Sequence, residues 1–367
     1  MPPDPLPPVP VQRAPDDEIE PANPYAVPGH QPMQRRRSSR MGVPAPSAIP
    51  VGVVASVVIC TRNRPESLVR AVTSVLADGT PAIELLIIDQ SDDDASERAL
   101  TAFKDDRLRY IRAAPLGKGS ALNEALRLSR GELLVCTDDD CEAAAGWVAG
   151  MVQSLVDHPT AAVVFGRVAA PAYDTTCGYI PRFEPKRSRL LTGIRESCSS
   201  HGLGANMALR RHVVVTMGGF DPNVGPGSIF PSADDWDVAT RAILAGWDVY
   251  IRADDAHSVL HHGYRSFAEG RSHAWRDFLA LGGVTAKPLR AGYLQAAIVP
   301  VWVFWSMAFA PAVLDMVRLR RPRVSRVAAF LRGFSRGLRT PVNRTTLVFL
   351  PASRENAHTI ATKSVSQ

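Results

Sequence analysis

From residue 53 onward, short apolar runs alternate with amphipathic stretches along this chain. Val53–Cys60 is β-branched and apolar, and reads as a strand buried on both faces. Thr61-Arg62-Asn63-Arg64-Pro65 ends it. Pro65 suits the first position of a helix, and Leu68, Val72, Val75 and Leu76 then recur at helical spacing. Ile83–Ile88 predicts a second strand, Leu108–Ile111 a third and Leu133–Thr137 a fourth. Helical spacing returns in Leu122, Leu126 and Leu128, behind Gly117-Lys118-Gly119-Ser120, and again in Trp147, Met151, Val152 and Leu155. Ala161–Val168 reads as one more strand. Strands alternating with helices predict an α/β domain with a mostly parallel sheet.

Two of these strands run straight into carboxylates, at Asp89-Gln90-Ser91-Asp92-Asp93-Asp94 and at Thr137-Asp138-Asp139-Asp140. Parallel strands put both clusters on one sheet edge, outside the C-terminal strand ends where open α/β sheets bind ligands. Adjacent carboxylates repel one another, so a positive partner is expected, and a hard divalent cation, Mg or Mn, prefers such oxygens. An acidic turn after a strand is the plain alternative. No G-x-G-x-x-G follows the first strand and no G-x-x-x-x-G-K-[ST] occurs, so neither dinucleotide nor P-loop phosphate binding is predicted. A nucleotide held through ribose and base by carboxylates, with a metal on its phosphates, remains open.

Composition divides the 367 residues unevenly. Residues 1–50 hold 14 of the 30 prolines and the run Arg35-Arg36-Arg37-Ser38-Ser39-Arg40, which predicts a disordered arm. That arm has no apolar run, so no secretory signal is expected. Five cysteines without a C-x-x-C pair predict neither a disulfide framework nor a zinc site, and fit a reducing compartment. The net charge of +6 belongs to the tail: residues 287–367 carry 13 Lys+Arg against 2 Asp+Glu, while 51–286 carry 24 against 29. A nucleic-acid-binding domain is more often basic where it folds, so no nucleic-acid partner is predicted and the tail's expected partner is an anionic membrane surface.

The tail's own pattern agrees. Leu294–Leu314 is apolar apart from Gln295, Ser306, Pro300 and Pro311, and as a helix reaches ~31 Å at ~1.5 Å per residue, close to the ~30 Å of a bilayer core. Lys287 and Arg290 precede it, and Arg318, Arg320, Arg321, Arg323 and Arg326 follow. A single crossing from a cytosolic domain would put the arginine-rich end outside, against the positive-inside rule. A kinked hairpin broken near Pro311, or a helix lying in the interface, avoids this. Val324, Val327, Ala328, Leu331, Phe334 and Leu338 form one face of a further helix, with Arg326, Arg332, Arg336 and Arg339 opposite. That pattern suits an anionic surface, or alternatively a helix packed on the catalytic domain. Residues 353–367 read as disordered.

Several segments together resemble the family 2 glycosyltransferases. Ser56-Val57-Val58-Ile59-Cys60-Thr61-Arg62-Asn63-Arg64 resembles the family's first nucleotide-binding strand. Ile87-Ile88-Asp89-Gln90-Ser91-Asp92-Asp93 is similar to its second, although Gln90 stands where glycine is usual. Gly117-Lys118-Gly119-Ser120-Ala121-Leu122-Asn123 resembles the segment before the metal strand, and Thr137-Asp138-Asp139-Asp140 stands at the Asp-x-Asp element. Gly202-Leu203-Gly204-Ala205-Asn206, Gly218-Gly219-Phe220-Asp221 and Ala233-Asp234-Asp235-Trp236-Asp237 with Arg241 resemble the acceptor-side block. The Gln-x-x-Arg-Trp signature of processive synthases is missing, which favours single-sugar, non-processive transfer.

The resemblance implies a GT-A fold over about 51–286, a membrane-associated helical region over 287–352, and inverting, metal-dependent transfer of a hexose or deoxyhexose. The donor would be a nucleotide-diphosphate sugar, and the acceptor a lipid-linked glycan or envelope polysaccharide precursor at the cytoplasmic face of the cell membrane. Asp235 is the expected catalytic base with Asp234 beside it, although Ser232-Ala233-Asp234-Asp235 also reads as a capping box. Thr61, Arg62, Asp89, Lys118, Asp138 and Asn206 are the expected nucleotide-sugar ligands. Asp138, Asp140 and His261, the latter chosen over His262, are the expected metal ligands. A nucleotide-sugar-binding or scaffold protein without catalysis is the alternative on the same fold.

Overall fold

The computed structural model describes residues 55–80, 82–114, 116–198, 202–319 and 323–350. The Pro-rich arm, the tail over 353–367, Arg320 and Arg321 lie outside them. In chain order the first strands are β1 (Ala55–Thr61), β2 (Ile83–Asp89), β3 (Leu108–Arg112), β4 (Leu133–Asp138), β5 (Cys141–Ala143) and β6 (Ala161–Phe165). They are followed by β7 (Val168–Ala169), β8 (Gly178–Tyr179), β9 (Arg189–Leu191), β10 (Met207–Arg210), β11 (Asp248–Ile251), β12 (Val259–His261) and β13 (Arg265–Ser266). The helices that cover them are α1 (Pro65–Leu76), α2 (Ala95–Leu100), α3 (Lys118–Leu128), α4 (Trp147–Asp157), α5 (Ile194–Ser197), α6 (Arg211–Thr216), α7 (Asp234–Leu244) and α8 (Phe267–Arg290).

Eight strands form the central sheet in the order β3-β2-β1-β4-β10-β6-β11-β9. β3, β2, β1 and β4 run parallel, as do β6 and β11, whereas β10 is antiparallel to both β4 and β6 and β9 is antiparallel to β11. All seven residues of β2 are buried, as the unbroken apolar run requires of a strand covered on both faces. Two apolar layers do the covering. Leu68, Ala71, Val72 and Val75 of α1 and Trp147, Met151 and Leu155 of α4 close one face; Leu122 and Leu126 of α3 and Val238 and Ala242 of α7 close the other. The register sets Thr61 against Asp89 and Cys60 against Asp138, so the strand ends share one edge. A small second sheet, β5-β12-β7, stands beyond that edge and pairs His261 with Cys141.

The C-terminal region departs from the expected division. A boundary at 286/287 falls inside α8, which continues to Arg290. Lys287, which precedes the apolar stretch, is buried. The helical stretch Leu294–Val317 also runs past Pro311 without the expected hairpin break. Pro311 lacks an N–H and crowds the preceding turn, and the helix accommodates it by widening to π-type geometry over Phe304–Phe309. After α9 (Ile298–Val303) and α10 (Ala310–Val317) within that stretch, α11 (Val324–Arg339) packs along α8. The contact is made by small residues: a Cβ on Gly333 would meet the Leu279 carbonyl, and one on Gly337 would lie 2.6 Å from the Gly283 carbonyl. Position 279 facing 333 and 283 facing 337 means that α8 and α11 run in the same direction.

This packing is centred on Ala329, Phe330, Gly333 and Gly337, and of the apolar face predicted for the last helix it draws in Val327 and Phe334, which are partly buried against the same core. Val324, Leu331 and Leu338 of that predicted face remain exposed. The third apolar core joins Phe278, Val284, Val299, Val303 and Phe330 to Val224, Phe230 and Trp236 of the acceptor-side block. The tail helices and the body therefore share a core.

Candidate active site

The C-terminal edge of β4 separates three adjacent carboxylates into different environments. Asp139 turns inward and is 5% exposed. It accepts the Thr61 hydroxyl at 2.7 Å and the Arg64 guanidinium at 3.1 Å. Burial, opposed by Arg64, raises its carboxyl to about 6. Asp138 ends β4 and Asp140 follows it in a turn, and both face the crevice. Lys118, the first residue of α3, holds Asp138 at 2.5 Å and reaches to 3.9 Å from Asp234. Burial acts to lower Lys118, but those two carboxylates outweigh it and raise its pKa well above the ordinary value.

Asp140 meets His261 because β12 pairs with β5. The ring Nε2 lies 3.3 Å from the carboxylate, while Nδ1 is 2.9 Å from the Pro181 carbonyl and donates to it. Burial acts to raise Asp140, yet the His261 hydrogen bond and the charges of His261 and Arg64 hold it down at about 2. Of the histidine pair, His262 turns instead to Glu142 at 3.0 Å.

The donor set fits a hard divalent cation. It offers the Asp140 carboxylate and an imidazole whose Nδ1 is tied to a carbonyl, the arrangement that orients Nε2 as a ligand, with Asp138 two residues away at the end of β4. Asp140, Cys141 and His261 lie close enough together for a shared ion. The Cys141 thiol is buried and pushed well up by that burial, so it stays protonated and outside a hard-cation set.

Across the crevice, α7 opens on Asp234 and Asp235. The capping box foreseen for this helix is not formed: Ala233 is the N-cap residue, in a left-handed conformation at φ 68°, with no side-chain cap. Instead the Gly204 N–H donates to Asp235 at 2.9 Å and the Trp236 N–H at 2.7 Å, one to each oxygen. The 3₁₀ turn Gly204–Asn206 supplies the first of these. Burial and the adjacent Asp234 push the Asp235 carboxyl up to about 7. Burial also raises Asp234, against the pull of Lys118.

Not every expected ligand reaches this centre. Arg62 is exposed and bridges Asp92 at 3.1 Å on the rim. Asp89 is fully buried and accepts the Ser91 N–H at 2.7 Å and the Tyr110 hydroxyl at 2.6 Å. Asn206 is 0% exposed; it accepts from Trp147 Nε1 at 2.9 Å and donates to the Arg167 and His257 carbonyls at 2.9 and 3.2 Å. Its amide hydrogens are both used, so Asn206 serves the scaffold beneath the Gly204 turn. The Thr61 hydroxyl is likewise committed to Asp139. A central residue not among the expected ligands is Arg64, which spans Asp139 and Asp140 at 3.1 Å each; it closes the segment that resembles the first nucleotide-binding strand, and its place before Pro65 marked it as a strand terminator.

A mostly parallel sheet with an antiparallel insertion and carboxylates at the β4 edge defines a GT-A-type, nucleotide-diphospho-sugar transferase fold. The mannosyltransferase from Pyrobaculum calidifontis, solved in complex with GDP-Man and Mn2+, shares this fold at a TM-score of 0.51 and 20% identity, over 78% of this chain and 87% of that one. Residues 56–216 match the family model for Glycosyl transferase family 2. Over those residues the chain is similar to family 2 glycosyltransferases. The glucosyl-dolichyl phosphate glucuronosyltransferase of Haloferax volcanii is 27% identical over 185 residues, 46% of this chain and 56% of its own length. An uncharacterized glycosyltransferase of Nostoc sp. is 33% identical over 88 residues, 23% and 27% of the two lengths. The chain spans about half, or less, of the curated relatives that it matches. The family match ends before α7 and does not reach Asp234 and Asp235.

Proposed function

We propose that the crevice transfers one sugar from a nucleotide-diphosphate sugar to an acceptor hydroxyl with inversion, and that Asp235 is the base. The carrying observation is the Asp235 carboxyl, fixed by two backbone N–H groups and raised to about 7. A base poised near the working pH combines a sufficient ionised fraction with the basicity to take a proton. Direct displacement at the anomeric carbon needs this one carboxylate on the acceptor side, and its transition state is oxocarbenium-like. Lys118, held between Asp138 and Asp234, is placed to counter diphosphate charge. A Mg or Mn ion held by Asp138, Asp140 and His261 would supply Lewis-acid stabilisation of the departing nucleoside diphosphate.

A lipid-linked acceptor is supported by two things: the dolichyl phosphate in the name of the Haloferax volcanii relative, and the exposed apolar ridge of the Leu294–Val317 helix. The ridge and its flanking arginines suit an anionic leaflet, which for a nucleotide-sugar enzyme is the cytoplasmic face. The test is a panel of UDP- and GDP-sugars with Mn or Mg, assayed for transfer by wild type and Asp235→Asn. Loss of about 10²–10⁴-fold in kcat is expected for the variant. Undiminished transfer removes Asp235 as the base, and a wild type that binds nucleotide sugars without turning any over favours the scaffold reading.

A further inference from the structure

A cavity of about 690 Å³ opens where the first turns of α8, the stretch around Met307 and Pro311, and the start of α11 meet β8. Its walls include the aromatic side chains of Tyr179 and Phe278, with Arg271, Arg323 and Arg326 around it against the single carboxylate Asp277. Arg323 is neutralised by Asp315 at 2.6 Å. Among the described residues, no carboxylate comes within ion-pair distance of Arg271 or Arg326, and the Arg326 guanidinium lies over the Phe278 ring at 5.3 Å. Burial and the neighbouring Arg323 push the Arg326 pKa down, the response of a cation lacking a counter-ion. Gly270 lets the Tyr179 ring pack onto α8 at the cavity wall, since a Cβ there would lie 2.5 Å from that ring.

Two adjoining features say what such a cavity holds. Tyr179 stands two residues before Pro181, whose carbonyl takes the His261 Nδ1 proton, so the cavity neighbours the crevice. On its other side, Met307 and Pro311 belong to the helix whose outer face is the exposed apolar ridge. A volume in the ~300–1,000 Å³ range takes a drug-sized ligand, enough for an anionic head and the beginning of an apolar chain. The remainder of a longer chain would continue along the ridge.

We propose that this cavity is the acceptor subsite for a lipid phosphate, with the phosphate between Arg271 and Arg326 and the chain against Phe278 and Met307. The proposal rests on the reading of a lipid-linked acceptor, and names the residues that would select it. Arginine suits this role because its planar guanidinium stays charged and can bond two phosphate oxygens at once.

The probe is farnesyl phosphate, titrated calorimetrically into the full chain, with farnesol and inorganic phosphate as controls and UDP and GDP with Mn2+ as the donor-side readout. Arg271→Gln and Arg326→Gln are each expected to weaken farnesyl phosphate at least tenfold while nucleotide affinity stays unchanged. Farnesol and phosphate are each expected to bind far more weakly than the conjugate. Equal affinity for farnesyl phosphate in both variants, equal binding of farnesol, or equal binding of phosphate alone overturns the proposal. A wild type that binds UDP or GDP but not farnesyl phosphate also overturns it while leaving donor use intact. Failure of both nucleotides to bind would instead strike the functional reading itself.

Discussion

Asp235 is held by two backbone N–H groups and still has a raised pKa, so burial and Asp234 outweigh those hydrogen bonds. The ionised form is the base. The pH profile of kcat/KM is therefore expected to climb about tenfold per unit below pH 7 and to flatten above it; a profile flat from pH 5 to 9 would remove this assignment. Stability runs the other way. The folded carboxyl titrates at about 7 and the unfolded one at 3.8, so between those values the folded state holds a proton that the unfolded state has lost. Stability contributed by this proton is present at low pH and disappears as pH rises to 7. Asp235→Asn should accordingly melt higher than wild type at pH 8, with the difference fading toward pH 5, as thermal denaturation at the two pH values would show. Thr61 has a different weight. Its hydroxyl satisfies a buried carboxylate, and Thr61→Val is expected to cost about 1–3 kcal/mol in denaturant unfolding. The acid cluster at Asp138–Asp140 was legible from its place at a strand end, whereas Asp235 and His261 were singled out through the family resemblance. The committed state of Asn206 and Thr61 was not, because a buried polar side chain and a ligand-facing one look alike until their partners are known.

At the level of elements, the alternating strands and helices up to β6 were readable from periodicity, apart from the short α2 and β5. β10 was not, because Met207–Arg210 is four residues long and too short to show a period; it enters the sheet by pairing between distant strands. The end of α8 hid a second long-range dependence. Lys287 extends into the body and bonds Asp221 at 2.6 Å and Asp237 at 2.5 Å, and Asp237 also bonds Arg241 at 2.9 Å. Asp221 further accepts the Phe349 N–H at 2.8 Å. Two acids and two bases thus balance in a dry place, tying α7, α8 and the chain near Phe349 together. From sequence, Lys287 beside an apolar stretch reads as a membrane flank, since its partners lie 66 and 50 positions away. Lys287→Met leaves the buried Asp221 carboxylate without a cation and Asp237 with Arg241 alone, and is expected to destabilise by about 3–5 kcal/mol, measured by denaturant unfolding. A change below about 1 kcal/mol would mean that this network does not hold the helices to the body.

On the scale of the whole molecule, the tail both completes the body and leaves part of its apolar surface uncovered. Between Leu294 and Val317 one face packs inward through Ala296, Val299, Val303, Ala308 and Ala312. The other carries Leu294, Ile298, Val301, Trp305, Phe309, Val313 and Val317, with Val301 66% and Trp305 61% exposed. By length and hydropathy this stretch passes for a membrane crossing, yet a crossing would have to strip its packed face from α8 and α11. A shared core resists that separation, whereas lying along an interface requires none and buries the ridge that remains. Arg318 beyond its end, and Arg332, Arg336 and Arg339 of α11, are exposed for contact with anionic headgroups. Each cation close to such a surface contributes about 1 kcal/mol, so attachment should depend on both lipid charge and the ridge. The full chain is expected to float with vesicles containing phosphatidylglycerol and to remain largely unbound to pure phosphatidylcholine. Val301→Ser with Trp305→Ser should reduce flotation severalfold without lowering the melting temperature, because both side chains point away from the core. Flotation that ignores lipid charge and survives both substitutions would transfer attachment from this ridge to another part of the chain.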